Sequence, residues 1–193
     1  MRGILLAAGQ GVRLRPLTDD RPKCLVPFRG RPIVEWAIET FHACGISDVS
    51  IVAGYQSQRL EYLGLPLRIN SDFSSTNMVH SLFCAEDLLD GDDVVVAYGD
   101  IVFRPRVLAA LVMDPSPIAV TIDRQWERLW RLRMPDPLAD AETLRLDARG
   151  RILELGRRPR ALSDVEGQYI GLIKLSKEAL TEVRRFYRSF PLD

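Results

Sequence analysis

Residues 3–8 of the chain read Gly-Ile-Leu-Leu-Ala-Ala, an unbroken apolar run that stops at Gly9, and no other feature limits the fold as much. A strand with one face in water alternates polar and apolar residues, whereas a continuous run of this kind fits a strand buried on both faces, as in a parallel sheet. Parallel neighbours need long crossovers, usually helical. The following sequence supplies one: from Pro32 the spacing of Ile33, Trp36, Ala37, Thr40 and Phe41 is helical, with proline in the first turn and Gly45 placed to cap the end. The pattern predicts further strands at residues 48–53 and 93–97, a short helix at 56–63, and a helix at 77–89 carrying Met78, Leu82, Ala85, Leu88 and Leu89.

After a strand at 118–122 the pattern changes. Residues 143–147 and 151–155 alternate as strands do, with Ala148-Arg149-Gly150 as a hairpin connection, and a strand at 168–175 precedes a helix at 176–188. The expected fold is therefore α/β: a Rossmann-like, mostly parallel sheet with helices on both faces and an antiparallel hairpin addition at one edge in the second half. Without repeats or linkers, residues 1–193 are expected to form one domain.

Composition limits the partners. Twenty-six basic residues balance twenty-six acidic ones, so no overall field draws the chain to nucleic acid or to a membrane surface, and no apolar run is long enough to span a bilayer. Cys24, Cys44 and Cys84 are too few and too scattered for a disulfide framework or a paired-cysteine metal site, which points to a reducing, cytoplasmic setting. A homo-oligomer is left open.

Any phosphate site must then be local, and the segment after the first strand fits one. Gly9 and Gly11 allow close approach of the backbone to a polyphosphate, successive N–H groups in such a turn form an anion nest, and Leu6, Ala7 and Ala8 leave room at the strand end. Arg13 and Lys23 add two cations. The loop lacks the GK[ST] ending of a Walker loop, and Leu14 stands where the third glycine of GxGxxG would fall, which argues against a dinucleotide-binding oxidoreductase. Asp100, after the run DVVVAYG, is expected at the same carboxyl edge of the sheet, where its hard oxygens suit Mg²⁺; a turn aspartate is the alternative reading.

The string LAAGQGVRLRPLTDDRPKCLVPFRGRPIVEW resembles the signature of the sugar-phosphate and choline-phosphate nucleotidyltransferases, over roughly the first thirty-six positions. The resemblance implies a nucleotide-diphospho-sugar transferase-like fold. It also implies triphosphate binding by Gly9, Gly11 and Arg13, phosphate contact by Lys23 during transfer, and a metal on Asp100, with Leu6, Ala7 and Ala8 as nucleotide-binding residues beside them. The family's second metal aspartate, near the C-terminus, has no match: the chain ends at Phe190-Pro191-Leu192-Asp193, which opens the domain to truncation there, and Asp123 and Glu154 are the substitutes.

Residues 75–82, with DAETLRLD and GQYIGLIKLS, look most like the choline-phosphate cytidylyltransferase branch, which implies Asn77 and Ser81 beside the base. Asn77 is equally suited to cap a helix. Trp126, Trp130 and Tyr169, with Asp123 for charge, are candidates to hold a quaternary ammonium acceptor by cation–π attraction; a packed helical face is the plainer reading of tryptophans four apart. His42 and His80 fall in helical patterns and are read as structural.

The expected activity is thus Mg²⁺-dependent transfer of a nucleotide from an NTP, CTP favoured, to a small phosphorylated acceptor, phosphocholine-like favoured, with pyrophosphate released. The alternatives are a sugar 1-phosphate acceptor with UTP, GTP or dTTP, and a silent nucleotide-binding module lacking the second carboxylate.

Overall fold

The computed structural model describes residues 1–189; the terminal residues 190–193, where the sequence showed no second metal aspartate, lie outside the described residues. In chain order the elements are β1 (Arg2–Ala7), the ribbon β2 (Pro27–Phe28) and β3 (Arg31–Pro32), α1 (Ile33–Ala43), β4 (Val49–Ala53), β5 (Leu67–Ile69), α2 (Met78–Phe83), β6 (Val94–Tyr98), α3 (Pro105–Met113) and β7 (Ile118–Asp123). There follow α4 (Trp126–Arg133), β8 (Leu144–Leu146), β9 (Ile152–Leu155), β10 (Gln168–Leu175) and α5 (Lys177–Ser189). No helix among the described residues is long and apolar enough to cross a membrane.

The central sheet runs β5-β4-β1-β6-β10-β7. Its first four strands are parallel, and β10 lies antiparallel to β6. The uniformly buried pattern of β4 and the near-complete burial of β1 are what the continuous apolar runs require. Side chains alternate across a strand, so Ile4 faces one layer, packed with Val94, Val96, Ala85, Leu89 and Leu180. The ring of Phe41 lies against Gly3 on the other face, where α1 packs on α3. Helices therefore cover both faces. Each fully buried Ile or Leu in these layers stabilises the fold by about 1.5–3 kcal/mol.

By contacts the chain divides into two compact units: Met1–Val120 together with the chain from Gly171 onward, and Thr121–Ile170. The second unit has its own small core of Trp126, Ala141 and Val165, with Trp130 and Leu138 against it.

Several elements differ from the sequence reading. The hairpin of β8 and β9 forms a separate two-stranded sheet instead of joining the sheet edge, and the antiparallel strand of the main sheet, β10, is internal, flanked by β6 and β7. The helix expected over 77–89 stops at Phe83 and continues as a 3-10 turn at Glu86–Leu88; Ala85 and Leu89 still reach the core, because α and 3-10 turns meet the same short apolar spacing. The short helix expected at 56–63 is 3-10 throughout (Ser57–Leu63), and β5 and α3 had not been expected. The proline at α3's first position and its buried Leu108 and Leu111 are the signal that would have found it.

Candidate active site

The order β5-β4-β1-β6 means that the chain moves from β1 outward through β4 and β5, then returns to pair β6 on the opposite side of β1. Open α/β sheets bind ligands outside the carboxyl ends of the strands at such a reversal. Leu6 of β1 is in register with Tyr98 of β6, and Gly99 N–H donates to the Leu6 carbonyl at 2.8 Å. The residues that follow the two strands, Ala8 to Gly11 and Asp100, consequently emerge side by side.

They line a cleft of about 490 Å³ within the first unit, large enough for a small-molecule ligand. Leu6, Ala7, Ala8, Gly9, Gly11, Arg13, Lys23, Asn77, Ser81 and Asp100 all face it, with Cys24, Phe73, Thr76, Met78 and Tyr98 beside them. Gly11 is held in the left-handed region, φ 75°, at the head of a 3-10 turn, and a Cβ there would meet Lys23 Cβ at 2.7 Å. Glycine is thus required twice, for the turn and for the lysine stem that packs on it. Thr18, fully buried, donates its hydroxyl to the Gly11 carbonyl at 3.0 Å, and Tyr55 donates to the Asp19 carbonyl at 2.8 Å. The first closes the long loop on itself, and the second ties it to the residues that follow β4. Gly9, by contrast, has nothing within 4 Å of a Cβ position.

The cations of the loop differ in what they hold. Arg15 pairs with Asp19 at 3.3 Å and Arg21 with Asp20 at 2.8 Å, whereas Arg13 is exposed and in no ion pair among the described residues. Lys23 forms an ion pair with Asp100, both side chains partly exposed to the cleft. Cys24 sits beneath them; burial first, and the charge of Asp100 second, push its thiol up to about 12, so it is a neutral wall at ordinary pH.

The far wall is neutral. Asn77 Oδ1 accepts from Val79 and His80 N–H at 2.9 and 3.1 Å, so it caps α2 while lining the cleft. Ser81, buried, donates to the Asn77 carbonyl at 3.3 Å. Behind both stands Asn70, which the sequence reading passed over, as it did Thr18, Phe73, Thr76 and Tyr98.

Trp126 is 3% exposed, its indole N–H bonded to the Val165 carbonyl at 3.1 Å, and it packs edge-to-face on Trp130. Both belong to the core of the second unit, the plainer of the two sequence readings. Asp123 Oδ1 accepts from Gln125 N–H at 2.7 Å, Glu154 lies opposite Arg145 on the ribbon, and Tyr169 lies on β10; like the two tryptophans, all three fall in the second unit.

No three carboxylate, imidazole or thiol groups converge on a metal position among the described residues. Mg²⁺ needs less, since it is commonly held by one or two carboxylates with substrate phosphates and water as the other ligands. Asp100, at the mouth of the phosphate loop, fits that arrangement.

Residues 3–168 match the model of the MobA-like NTP transferase domain. The CTP:phosphoglutamine cytidylyltransferase of Campylobacter jejuni subsp. jejuni is 39% identical over 203 aligned positions, covering all of this chain and 80% of that protein. The choline-phosphate cytidylyltransferase of Streptococcus pneumoniae is 37% identical over 101 positions, half of this chain and 44% of that one. A putative glucose-1-phosphate thymidylyltransferase structure from Bacillus anthracis superposes with a TM-score of 0.78 at 20% identity, covering 99% of this chain and 76% of that one, which shows the fold alone.

Proposed function

This chain belongs to the MobA-like NTP transferase family, an enzyme that transfers nucleotidyl groups, and on that premise we propose that it moves CMP from CTP onto the phosphate of a small polar acceptor. Phosphoglutamine is the acceptor favoured, since the relative named for it matches along the whole chain; phosphocholine is second, on a match to half of it. One observation carries the chemistry: Lys23 and Asp100 meet beside a glycine turn at the carboxyl ends of two parallel strands.

The acceptor phosphate has a second pKa of about 6 and is largely dianionic at neutral pH, so no general base is required. Its oxygen forms a bond to the α-phosphorus of CTP while the bond to the bridging oxygen breaks and pyrophosphate departs with the electron pair. The backbone N–H groups of the Gly9–Gly11 turn position the triphosphate, and the ammonium of Lys23 and the guanidinium of Arg13 offset its growing charge. When bound, Mg²⁺ on Asp100 supplies further charge neutralisation. The Lys23 ammonium has three N–H donors, so it can turn toward the phosphates from its place beside Asp100. A CTP-dependent activity and three free thiols support a cytoplasmic setting.

Pyrophosphate release by the purified chain with Mg²⁺, testing CTP, UTP, GTP and dTTP against phosphoglutamine, phosphocholine and sugar 1-phosphates, tests the reading. Release confined to CTP with phosphoglutamine is the expected result. Release with a sugar 1-phosphate and UTP or dTTP would replace it, and saturable NTP binding with no release from any pair would leave a binding module.

A further inference from the structure

We propose that Asn70 is the positioning residue of the neutral wall, setting the affinity for the nucleotide through Thr76, Asn77 and Ser81 without touching it. The inference rests on the nucleotide-transfer reading of the cleft.

Asn70 directly follows β5 and is 1% exposed. Its backbone N–H is bonded to the Ala53 carbonyl at 2.8 Å, which fixes the residue to the sheet. Its side chain then turns toward a stretch, residues 71–77, that has no helix or strand of its own. Oδ1 accepts from Asp72 N–H at 2.9 Å. Only an oxygen can face that donor, so the nitrogen's direction is settled, and Nδ2 donates to Thr76 Oγ1 and to Ser81 Oγ, both at 3.0 Å.

The bonds close into two circuits. The Thr76 hydroxyl donates in turn to the Asp72 carbonyl at 2.8 Å, and the Ser81 hydroxyl to the Asn77 carbonyl at 3.3 Å. One buried amide thus fixes both ends of the segment and the first turn of α2. Thr76, Asn77 and Ser81 all line the cleft; Asn70 does not. Asn77 Oδ1 is committed to the α2 cap, so its amide NH₂ is the group left for a ligand, and where that donor lies depends on the circuits that Asn70 closes. Nothing in the circuits is charged, so their failure alters the shape of the wall and leaves the phosphate chemistry of Lys23 and Asp100 in place.

The test is a cycle of variants: wild type, Asn70→Ala, Thr76→Val with Ser81→Ala, and the triple variant. Each is measured for CTP binding by calorimetry, for KM and kcat, and for its thermal midpoint. Loss of the two donated bonds is expected to raise the Kd and KM for CTP about tenfold, with kcat at saturating CTP within about threefold of wild type. The triple variant should bind no worse than Asn70→Ala, because both remove the same circuits.

Wild-type KM in folded Asn70→Ala, or losses that simply add in the triple variant, would overturn the proposal. If Asn70→Ala does not fold, Asn70→Asp, which keeps the acceptor for Asp72 N–H and loses both donated bonds, decides in its place: about tenfold weaker binding supports the proposal and unchanged binding overturns it. The wild-type titration over four NTPs comes first. If it selects UTP, GTP or dTTP, the CTP reading fails by itself, and the same variants are then read against that nucleotide.

Discussion

The two walls of the cleft are built on opposite principles. On one, Lys23, Asp100 and Arg13 are partly or fully exposed, and their charges are satisfied by one another or by water. On the other, Thr76, Asn77 and Ser81, with Asn70 behind them, are neutral and are held by hydrogen bonds that also shape the backbone. Exposed ion pairs contribute little to stability, whereas a buried amide stripped of its partners costs the fold directly. Charge on the first wall is therefore free to be redirected to a ligand, and the second wall keeps its shape whether or not a ligand is there.

Lys23→Ala breaks the comparison most severely if it is wrong. Turnover in pyrophosphate release should fall about 10²–10³-fold, the usual loss for one group that meets charge in the transition state, with the thermal midpoint near that of wild type. A variant that loses midpoint and turnover together would show that the ion pair belongs to the fold, erasing the distinction between the walls.

The two glycines of the loop sharpen it further. Gly11→Ala places a Cβ 2.7 Å from Lys23 Cβ at a residue with φ 75°, so it should cost about 1–2 kcal/mol in backbone strain and displace the lysine, lowering stability and turnover together. Gly9→Ala meets nothing within 4 Å, and its unfolding midpoint should not move. A rise in KM for CTP with that unchanged midpoint would identify Gly9 as a place where only the ligand needs the space. An unchanged KM would take Gly9 out of the site.

The walls also differ in how far they can be read from sequence. The first follows from local signals: a continuous apolar run predicts a buried strand, two glycines after it predict a turn, and Asp100 after a second run predicts a carboxylate at the same sheet edge. The structure brings Gly9, Gly11, Arg13, Lys23 and Asp100 to one cleft. The second was only partly legible. Asn77 is a helix cap as well as a wall residue; its place before an apolar spacing offered the first reading, and the family resemblance the second. Asn70 leaves no such trace, because its side-chain partners lie up to eleven residues away and the short β5 before it, with a pattern of partial exposure, lacks a strand's alternation. The tryptophans of α4 show the reverse case, where an aromatic pair at helical spacing could serve a ligand or a core, and only burial decides: Trp126 is closed off by its own unit.

The smallest predicted effect concerns Cys24, which lies beneath the charged wall yet obeys the neutral one's rule. Its thiol is raised from 9.0 to about 12, by burial first and by Asp100 second. Below pH 9 the thiol is protonated in both folded and unfolded chains and contributes no pH dependence. Above pH 9 the unfolded chain releases a proton that the folded chain retains, so this group lowers stability as pH rises toward 12, by at most about 1.4 kcal/mol per pH unit. Lysines and tyrosines titrate in the same window, so the quantity to measure is a difference: denaturant unfolding of wild type and Cys24→Ala at pH 8, 9, 10 and 10.5. The wild type should lose stability faster than the variant, by up to one proton's slope, above pH 9 and not below it. Parallel curves would mean that water and hydroxide reach Cys24 in the folded protein, and that the floor of the charged wall is as open to solvent as the ion pair above it.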